Sequence, residues 1–334
     1  MKLLITGGAG FIGANFLAWE REKYPQDTLI CVDKLTYAGN AQNILPLVGR
    51  GEVTFFCEDV ANKSAMRRLF ARIRPDAVVH FAAESHVDRA IADPAPFVRS
   101  NVGGTAVLLE QCRSYGCRFH HVSTDEVYGP LGKGEAPVSE GAPLRPANPY
   151  AASKAAADLL CLSYAKTYGM PVTISRGANT YGRFQFPEKL IPRALACIFA
   201  GEPVPVYGTG ENRRSWLAVR DHCAAVDCVL RHGEAGGVYN IGGEEARNLD
   251  LVRTLFSLAG REEKISFVAD RPAHDLRYAL DDSALCALGW RPAVPFAQGL
   301  AETVCWYREH TEWLEQVRSG AYLAQNDALR GMRA

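Results

Sequence analysis

A glycine-rich turn between a buried strand and a helix sets the first limit on the fold of this 334-residue chain. The turn is Thr6-Gly7-Gly8-Ala9-Gly10-Phe11-Ile12-Gly13. Lys2 to Thr6 is a short apolar run without alternation, as in a strand covered on both faces. A helical pattern runs from about Phe11 to Lys23. In that setting Gly7 allows the tight turn, Gly10 lets backbone approach a pyrophosphate, and Gly13 lets helix and strand pack closely. The helix start offers free N–H groups and partial positive charge to phosphates. Gly-rich turns also serve plain packing, so the motif needs a partner.

The rhythm continues. Strands are expected at Thr28 to Val32, Val53 to Cys57, Ala77 to Phe81, Arg118 to Ser123 and Val172 to Arg176. Helices are expected over Asn62 to Ile73, about Pro96 to Tyr115, and about Pro149 to Tyr168. Alternation of this kind predicts an α/β fold, a doubly wound and mostly parallel Rossmann sheet with right-handed crossovers. After about Asn179 the rhythm breaks, with Pro187, Pro192, Pro203 and Pro205 between short elements. A smaller mixed α/β lobe is expected there, packed directly on the first with a cleft between.

The partner of the Gly turn is Asp33, twenty residues past Gly13 at the end of the second strand. A carboxylate there accepts from an adenosine ribose and repels a 2′-phosphate, which favours NAD over NADP. Lys34 stands next to it, where a basic group can meet a 2′-phosphate. Asp59 follows the third strand, placed either for an adenine edge or to cap the helix near Asn62.

Tyr150 and Lys154 lie four residues apart on one helix face. An ammonium there favours phenolate, so the phenol can exchange a proton with a sugar hydroxyl. Thr124, just past the fifth strand, can bind the same oxygen, and Asn101 can support the site. Asp125 and Glu126 add two adjacent carboxyls. Oxidising a sugar carbon acidifies the neighbouring C–H. One carboxylate can then remove that proton while one carboxylic acid protonates a leaving hydroxyl. Read alone, the pair can equally cap a loop.

Together these features resemble the extended short-chain dehydrogenase/reductase family, in which the Tyr and Lys relay a proton beside NAD(P). Within it, the blocks Thr124-Asp125-Glu126, Ala83 to Arg89, Leu35 to Asn40, Phe186 to Pro192, Tyr239 to Gly243, Asp270 to Asp275 and Ser319 to Tyr322 are similar to dTDP-glucose 4,6-dehydratases. The resemblance implies a Rossmann domain over 1–178 carrying the catalytic residues. It implies a sugar-nucleotide lobe mainly over 179–334, with some elements returning to the large domain. It implies Thr124, Asp125, Glu126, Tyr150 and Lys154 as catalytic. NAD contacts fall at Gly7, Gly10, Phe11, Ile12, Gly13, Asp33, Lys34, Thr36, Asp59, Val60, Ala82, Tyr150 and Lys154. Substrate contacts fall at Ser85, His86, Asn179, Lys189, Arg214, Asn240, Arg271 and His274, with the two arginines on the diphosphate.

The implied reaction turns dTDP-glucose into its 4-keto-6-deoxy derivative. Departures from the family pattern at Thr180, Arg183, Ser215 and Ala273 leave the nucleotide and sugar open. Arg183, Arg213 and Arg214 then stand as a basic set expected near the phosphates. Other readings are the same reaction on another nucleotide sugar, a 4-epimerase, which needs no Asp-Glu pair, and a non-catalytic NAD or sugar-nucleotide binder. The family also implies a homodimer through the helices near 96–115 and 149–168. Leu108, Leu109, Leu159, Leu160 and Leu162 of those helices read equally as core or interface.

Composition narrows the setting. Lys+Arg and Asp+Glu both number 37, giving net charge 0 with no basic run, which argues against nucleic acid or an anionic membrane as partner. No apolar stretch nears the roughly 20 residues of a membrane span. The ten cysteines contain no Cys-x-x-Cys pair, so buried thiols in a reducing cytoplasm are expected. Zinc at Cys223 and Cys228 lacks a second ligand pair, and no metal is expected.

Overall fold

The computed structural model describes residues 1–132, 134–270 and 276–331. Its strands are β1 (Lys2–Thr6), β2 (Thr28–Asp33), β3 (Val53–Cys57), β4 (Ala77–His80), β5 (Arg118–Thr124), β6 (Val172–Gly177), β7 (Asn179–Tyr181), β8 (Val204–Tyr207), β9 (Arg213–Ala218), β10 (Val238–Ile241), β11 (Glu244–Arg247) and β12 (Ile265–Val268). Seven of them form one sheet in the order β10-β6-β5-β4-β1-β2-β3. Every pairing in it is parallel, with Leu4 beside Ile30 and Val78.

Successive side chains point to opposite faces, and each face has its own core. Leu3 and Ile5 meet Phe16 and Leu17 of the helix Phe11–Lys23 and Val226 and Val229 of the helix Val219–His232. Leu4 and Val78 meet Phe70 of Lys63–Ile73, Leu108 and Leu109 of Gly104–Tyr115, and Cys161 of Pro149–Tyr168. A separate core around Tyr181, Leu195, Trp216 and Leu255 holds the smaller sheets β11-β9-β7 and β12-β8 with their helices. β10 and the helix Val219–His232 come from the second half of the chain yet pack in the first layer.

The strand order reverses between β1 and β4, and that switch point opens the ligand crevice of such sheets. One expected helix differs. The segment near 96–115 is a short turn Ala95–Phe97, a wider π-type turn Val98–Gly103, then the helix Gly104–Tyr115. The widening accompanies two close approaches. A Cβ on Gly104 would stand 2.8 Å from Val60. The Asn101 amide donates to the Glu84 carbonyl (3.0 Å) and Ser153 Oγ (2.8 Å), tying this turn to the helix Pro149–Tyr168.

Among the described residues no helix is long and apolar enough to cross a membrane, and no three His, Cys, Asp or Glu side chains gather as a metal group. All ten cysteines are free thiols.

Candidate active site

A cavity of about 350 Å³ lies over the carboxyl ends of the central strands and reaches into the second core. Its floor is the Gly turn. Gly7 has φ 71°, and a Cβ there would stand 2.5 Å from the Ala82 N. At Gly13 a Cβ would lie 2.3 Å from the Gly7 carbonyl oxygen. Gly10 differs: φ is −77° and a Cβ would meet only the Gly7 oxygen, at 3.3 Å. It faces the cavity and caps the helix Phe11–Lys23 without a side chain, so the first-turn N–H groups stay open to an anion.

These residues fit a dinucleotide. Asp33 ends β2 with Oδ2 accepting from Ala9 N–H (3.1 Å) and Oδ1 from Leu35 N–H (2.7 Å). Its carboxylate is thereby fixed at the cavity rim, with lone pairs left for ribose hydroxyls. The Lys34 ammonium donates to Ser100 Oγ (2.9 Å) and lies 3.6 Å from Glu84, so it is tied to the protein. The C-terminal helix Tyr322–Gly331 braces this rim, Asn326 donating to the Gly39 carbonyl (2.7 Å) and accepting from Ala41 N–H (2.9 Å). Gly10→Ala should leave the melting temperature of the NAD-free protein unchanged and weaken NAD about tenfold or more, read by calorimetric titration.

The acid–base groups stand where β5 ends. Thr124 Oγ1 accepts from Glu126 N–H (3.3 Å) and donates to Asp125 Oδ1 (3.1 Å), closing the short turn Asp125–Tyr128. Asn148 joins this turn to the next helix. It donates to Glu126 Oε2 (2.9 Å) and caps Pro149–Tyr168 by accepting from Ala151 N–H (2.9 Å). Tyr150 and Lys154 face the cavity from that helix. Burial, then the neighbouring Glu126 carboxylate, push Asp125 up to about 7. Burial brings Lys154 down to about 8.

The Tyr150 phenol departs from expectation. Burial and the Glu126 and Asp125 carboxylates hold it above its ordinary value, against the nearby Thr124 hydroxyl. The Lys154 ammonium donates to the Val122 carbonyl (2.8 Å) and meets His121 Nε2 (3.2 Å).

The cavity brings together Gly7, Gly10, Phe11, Ile12, Gly13, Asp33, Lys34, Thr36, Val60, Ala82, Ser85, Thr124, Asp125, Glu126, Tyr150, Lys154, Asn179 and Lys189. Lys189 also donates to the Ser85 carbonyl (2.9 Å). Other expected contacts stand elsewhere. Asp59 is off the wall, paired with Arg99 (2.7 Å), and the helix cap is Asn62 itself. His86 caps the helix Val87–Ala92 and meets Glu188 at 3.6 Å.

Asn240 is fully buried within β10, accepting from the Tyr128 hydroxyl and donating to the Val138 and Asp281 carbonyls. It is a structural residue, because β10 joins the central sheet beside β6. Arg214 lies over the Tyr278 ring and donates to the Arg213 carbonyl; its charge still reaches Asp125. Arg183 does not line the cavity. Positive φ at Gly182 and Phe184 turns it back onto Asn15 (2.8 Å). Arg271, Ala273 and His274 lie outside the described residues.

Glu84, Gln185, Glu188, Trp216 and His222 line the cavity without having been anticipated. Glu188 sat within the Phe186 to Pro192 block. A histidine on an apolar helix face, as at His222, carries no sequence signal of its own.

A family model described as GDP-mannose 4,6 dehydratase matches residues 4–303, most of the chain. The chain belongs to the GDP-mannose 4,6 dehydratase family. Within that family it is 43% identical over 350 residues to dTDP-glucose 4,6-dehydratase 1 of Escherichia coli (strain K12), covering 96% of this chain and 97% of that one. The solved structure of DesIV, a dTDP-glucose 4,6-dehydratase from Streptomyces venezuelae with NAD and TYD bound, is 45% identical with TM-score 0.90, over 95% of this chain and 100% of that one. A UDP-glucose 4-epimerase from Thermotoga maritima shares the fold at 29% identity and TM-score 0.87, over 92% of this chain and 99% of that one. The family's fold therefore spans both chemistries, and the residues of the site must separate them.

Proposed function

We propose that this protein is an NAD-dependent hydro-lyase that removes water from a nucleoside-diphosphate hexose, most directly dTDP-glucose. The carrying observation is the pairing of Asp125 and Glu126 in one cavity with Tyr150 and Lys154. The similar dehydratases of Escherichia coli and Streptomyces venezuelae support the substrate. A 4-epimerase has no use for the carboxyl pair.

In this reading Tyr150 takes the O4 proton, with Thr124 on the same oxygen. When bound, NAD supplies a hydride acceptor for C4 and a donor for C6. The 4-keto group acidifies C5–H, and Glu126 removes that proton. Asp125 is half protonated at its value of about 7 and gives its proton to the departing C6 hydroxyl. The C5–H and C6–O bonds break and C5=C6 forms. Glu126 then returns its proton to C5 as C6 is reduced. Because Asp125 loses its proton as pH rises through about 7, the elimination step slows on the alkaline side.

Ser215 and Thr180 bear on the base and sugar. Ser215 is turned into the protein, its hydroxyl donating to the Tyr278 carbonyl (3.3 Å), while Thr180 lines the cavity with its hydroxyl on His222 Nδ1 (2.7 Å). Neither change places a repelling charge in the cavity, which supports retention of the dTDP sugar. Incubation of the purified protein with dTDP-, UDP-, CDP- and GDP-hexoses, read by mass spectrometry, tests this. Loss of one water from dTDP-glucose is expected, and falling rate above pH 7. Water loss from another nucleotide alone overturns the substrate, and no water loss at all overturns the reaction.

The holoenzyme works in the cytoplasm as a homodimer, to be read from its sedimentation. The free thiols suit a reducing compartment. Leu108 and Leu109 are core, whereas Leu159 is 58% exposed, as are Ile91 (52%) and Val98 (56%) on segments packed near the same helix, which suits an apolar contact between copies.

A further inference from the structure

Behind the catalytic pair runs a chain of buried polar groups that no step above uses. Lys154 donates to His121 Nε2 (3.2 Å), and Asp158 brings Oδ1 to 3.5 Å from the same nitrogen. Asp158 lies one helical turn beyond Lys154, with no exposed surface. Its Oδ2 accepts from Arg176 Nε at 2.8 Å. Arg176 Nη1 donates to the Tyr128 hydroxyl at 2.8 Å, with the guanidinium 4.8 Å from the ring centre. Tyr128 passes the chain to Asn240 Oδ1 at 2.8 Å. Tyr128 also ends the turn that begins at Asp125. One end of the network is thus the ammonium and the other is the carboxyl turn.

Two cations and one carboxylate buried together are costly to desolvate, and apolar packing would hold a helix on a sheet as well. The network's location says what the charges accomplish there. We propose that Asp158 is a positioning residue, which keeps the Lys154 ammonium in place and, through Arg176 and Tyr128, sets the Asp125–Glu126 turn relative to it. Its kinetic readout rests on the dehydratase reading above; its titration readout does not.

The groups that face Lys154 come from four elements. β4 and β5 contribute His80 and His121, both kept neutral by burial. β6 contributes Arg176 through its bond to Asp158, and the ammonium's own helix contributes Asp158 and Cys161. Burial favours the neutral amine, and Asp158 opposes it most among its neighbours. Removing that charge therefore lets Lys154 lose its proton at lower pH.

The test is an NMR titration of protein labelled with ε-¹³C-lysine, NAD bound, with K154R identifying the resonance. In D158N the Lys154 midpoint should fall by about one pH unit or more. On dTDP-glucose the alkaline limb of kcat should move the same way, with kcat at neutral pH about tenfold lower and KM within about threefold. D158E keeps the charge and lengthens its arm, which covers the case in which D158N does not fold. It should titrate like the wild type yet lose about fivefold in kcat, because the turn is displaced. An unshifted Lys154 midpoint in D158N, or a wild-type kcat in D158E, overturns the proposal. If the wild-type protein does not dehydrate dTDP-glucose, the functional reading fails while the titration still decides this one.

Discussion

Tyr150→Phe should lower kcat on dTDP-glucose by about 10³-fold while the fold and the bound NAD stay in place. The phenol ring faces the edge of Phe97, with ring centres 6.4 Å apart, so its packing survives loss of the hydroxyl. What disappears is the group that exchanges the O4 proton. Burial and two carboxylates hold this phenol above its ordinary value, so the phenolate that takes the O4 proton forms against that field. KM should change little, because the ring and its packing stay in place. Steady-state kinetics with bound NAD measured on the denatured protein reads all three quantities. A variant that keeps a tenth of the wild-type kcat would remove Tyr150 from proton transfer.

Arg231→Met should cost about 3 kcal/mol of stability, because it strips the cation from a buried carboxylate cluster. Arg231 Nη2 meets Glu20 at 2.8 Å and Asp27 at 3.2 Å, and its Nε meets Asp227 at 2.5 Å. All three acids are at most 4% exposed. Lys23 still serves Asp227, and the N-terminal ammonium still serves Asp27, but among the described residues no other ion pair reaches Glu20. The cluster joins the helices Phe11–Lys23 and Val219–His232, so the loss falls on the seam between the two halves of the chain.

The effect has a definite pH sign. Burial and Asp227 push Glu20 up to about 8 from its ordinary 4.5, against Arg231. Between those values the folded state holds a proton that the unfolded chain has lost, so this group destabilises increasingly as pH rises across the window. Without Arg231 the folded value rises further and the window extends upward. The melting-temperature deficit of the variant should therefore widen above about pH 8, where the wild type releases the Glu20 proton and the variant still holds it. Melting temperatures that stay equal from about pH 7 to about pH 9 would mean that the cluster does not depend on its arginine.

What the sequence by itself determined was everything carried by short-range geometry. The Gly turn, the carboxylate at the end of β2 and the Tyr150–Lys154 spacing each depend on one element and its boundary, and they share one cavity. Strand-to-helix alternation was enough to imply the parallel sheet, because handedness leaves few ways to wind it. Thr124 to Glu126 was legible because the end of a strand projects its next residues into the crevice.

Tertiary structure alone decided the rest. Asn240 reads as a nucleotide contact in the sequence, but β10 enters the central sheet with Asn240 opposite Arg176, which buries it. Arg183 looked like a phosphate ligand, but backbone turns at Gly182 and Phe184 send it to Asn15. The partners of Asp158 and Glu20 come from strands and helices distant in the chain. The protonation of Tyr150 followed the same rule. Spacing places an ammonium near it, but burial and the net field of every neighbouring charge decide where its proton stays, and those are set only once distant elements pack together.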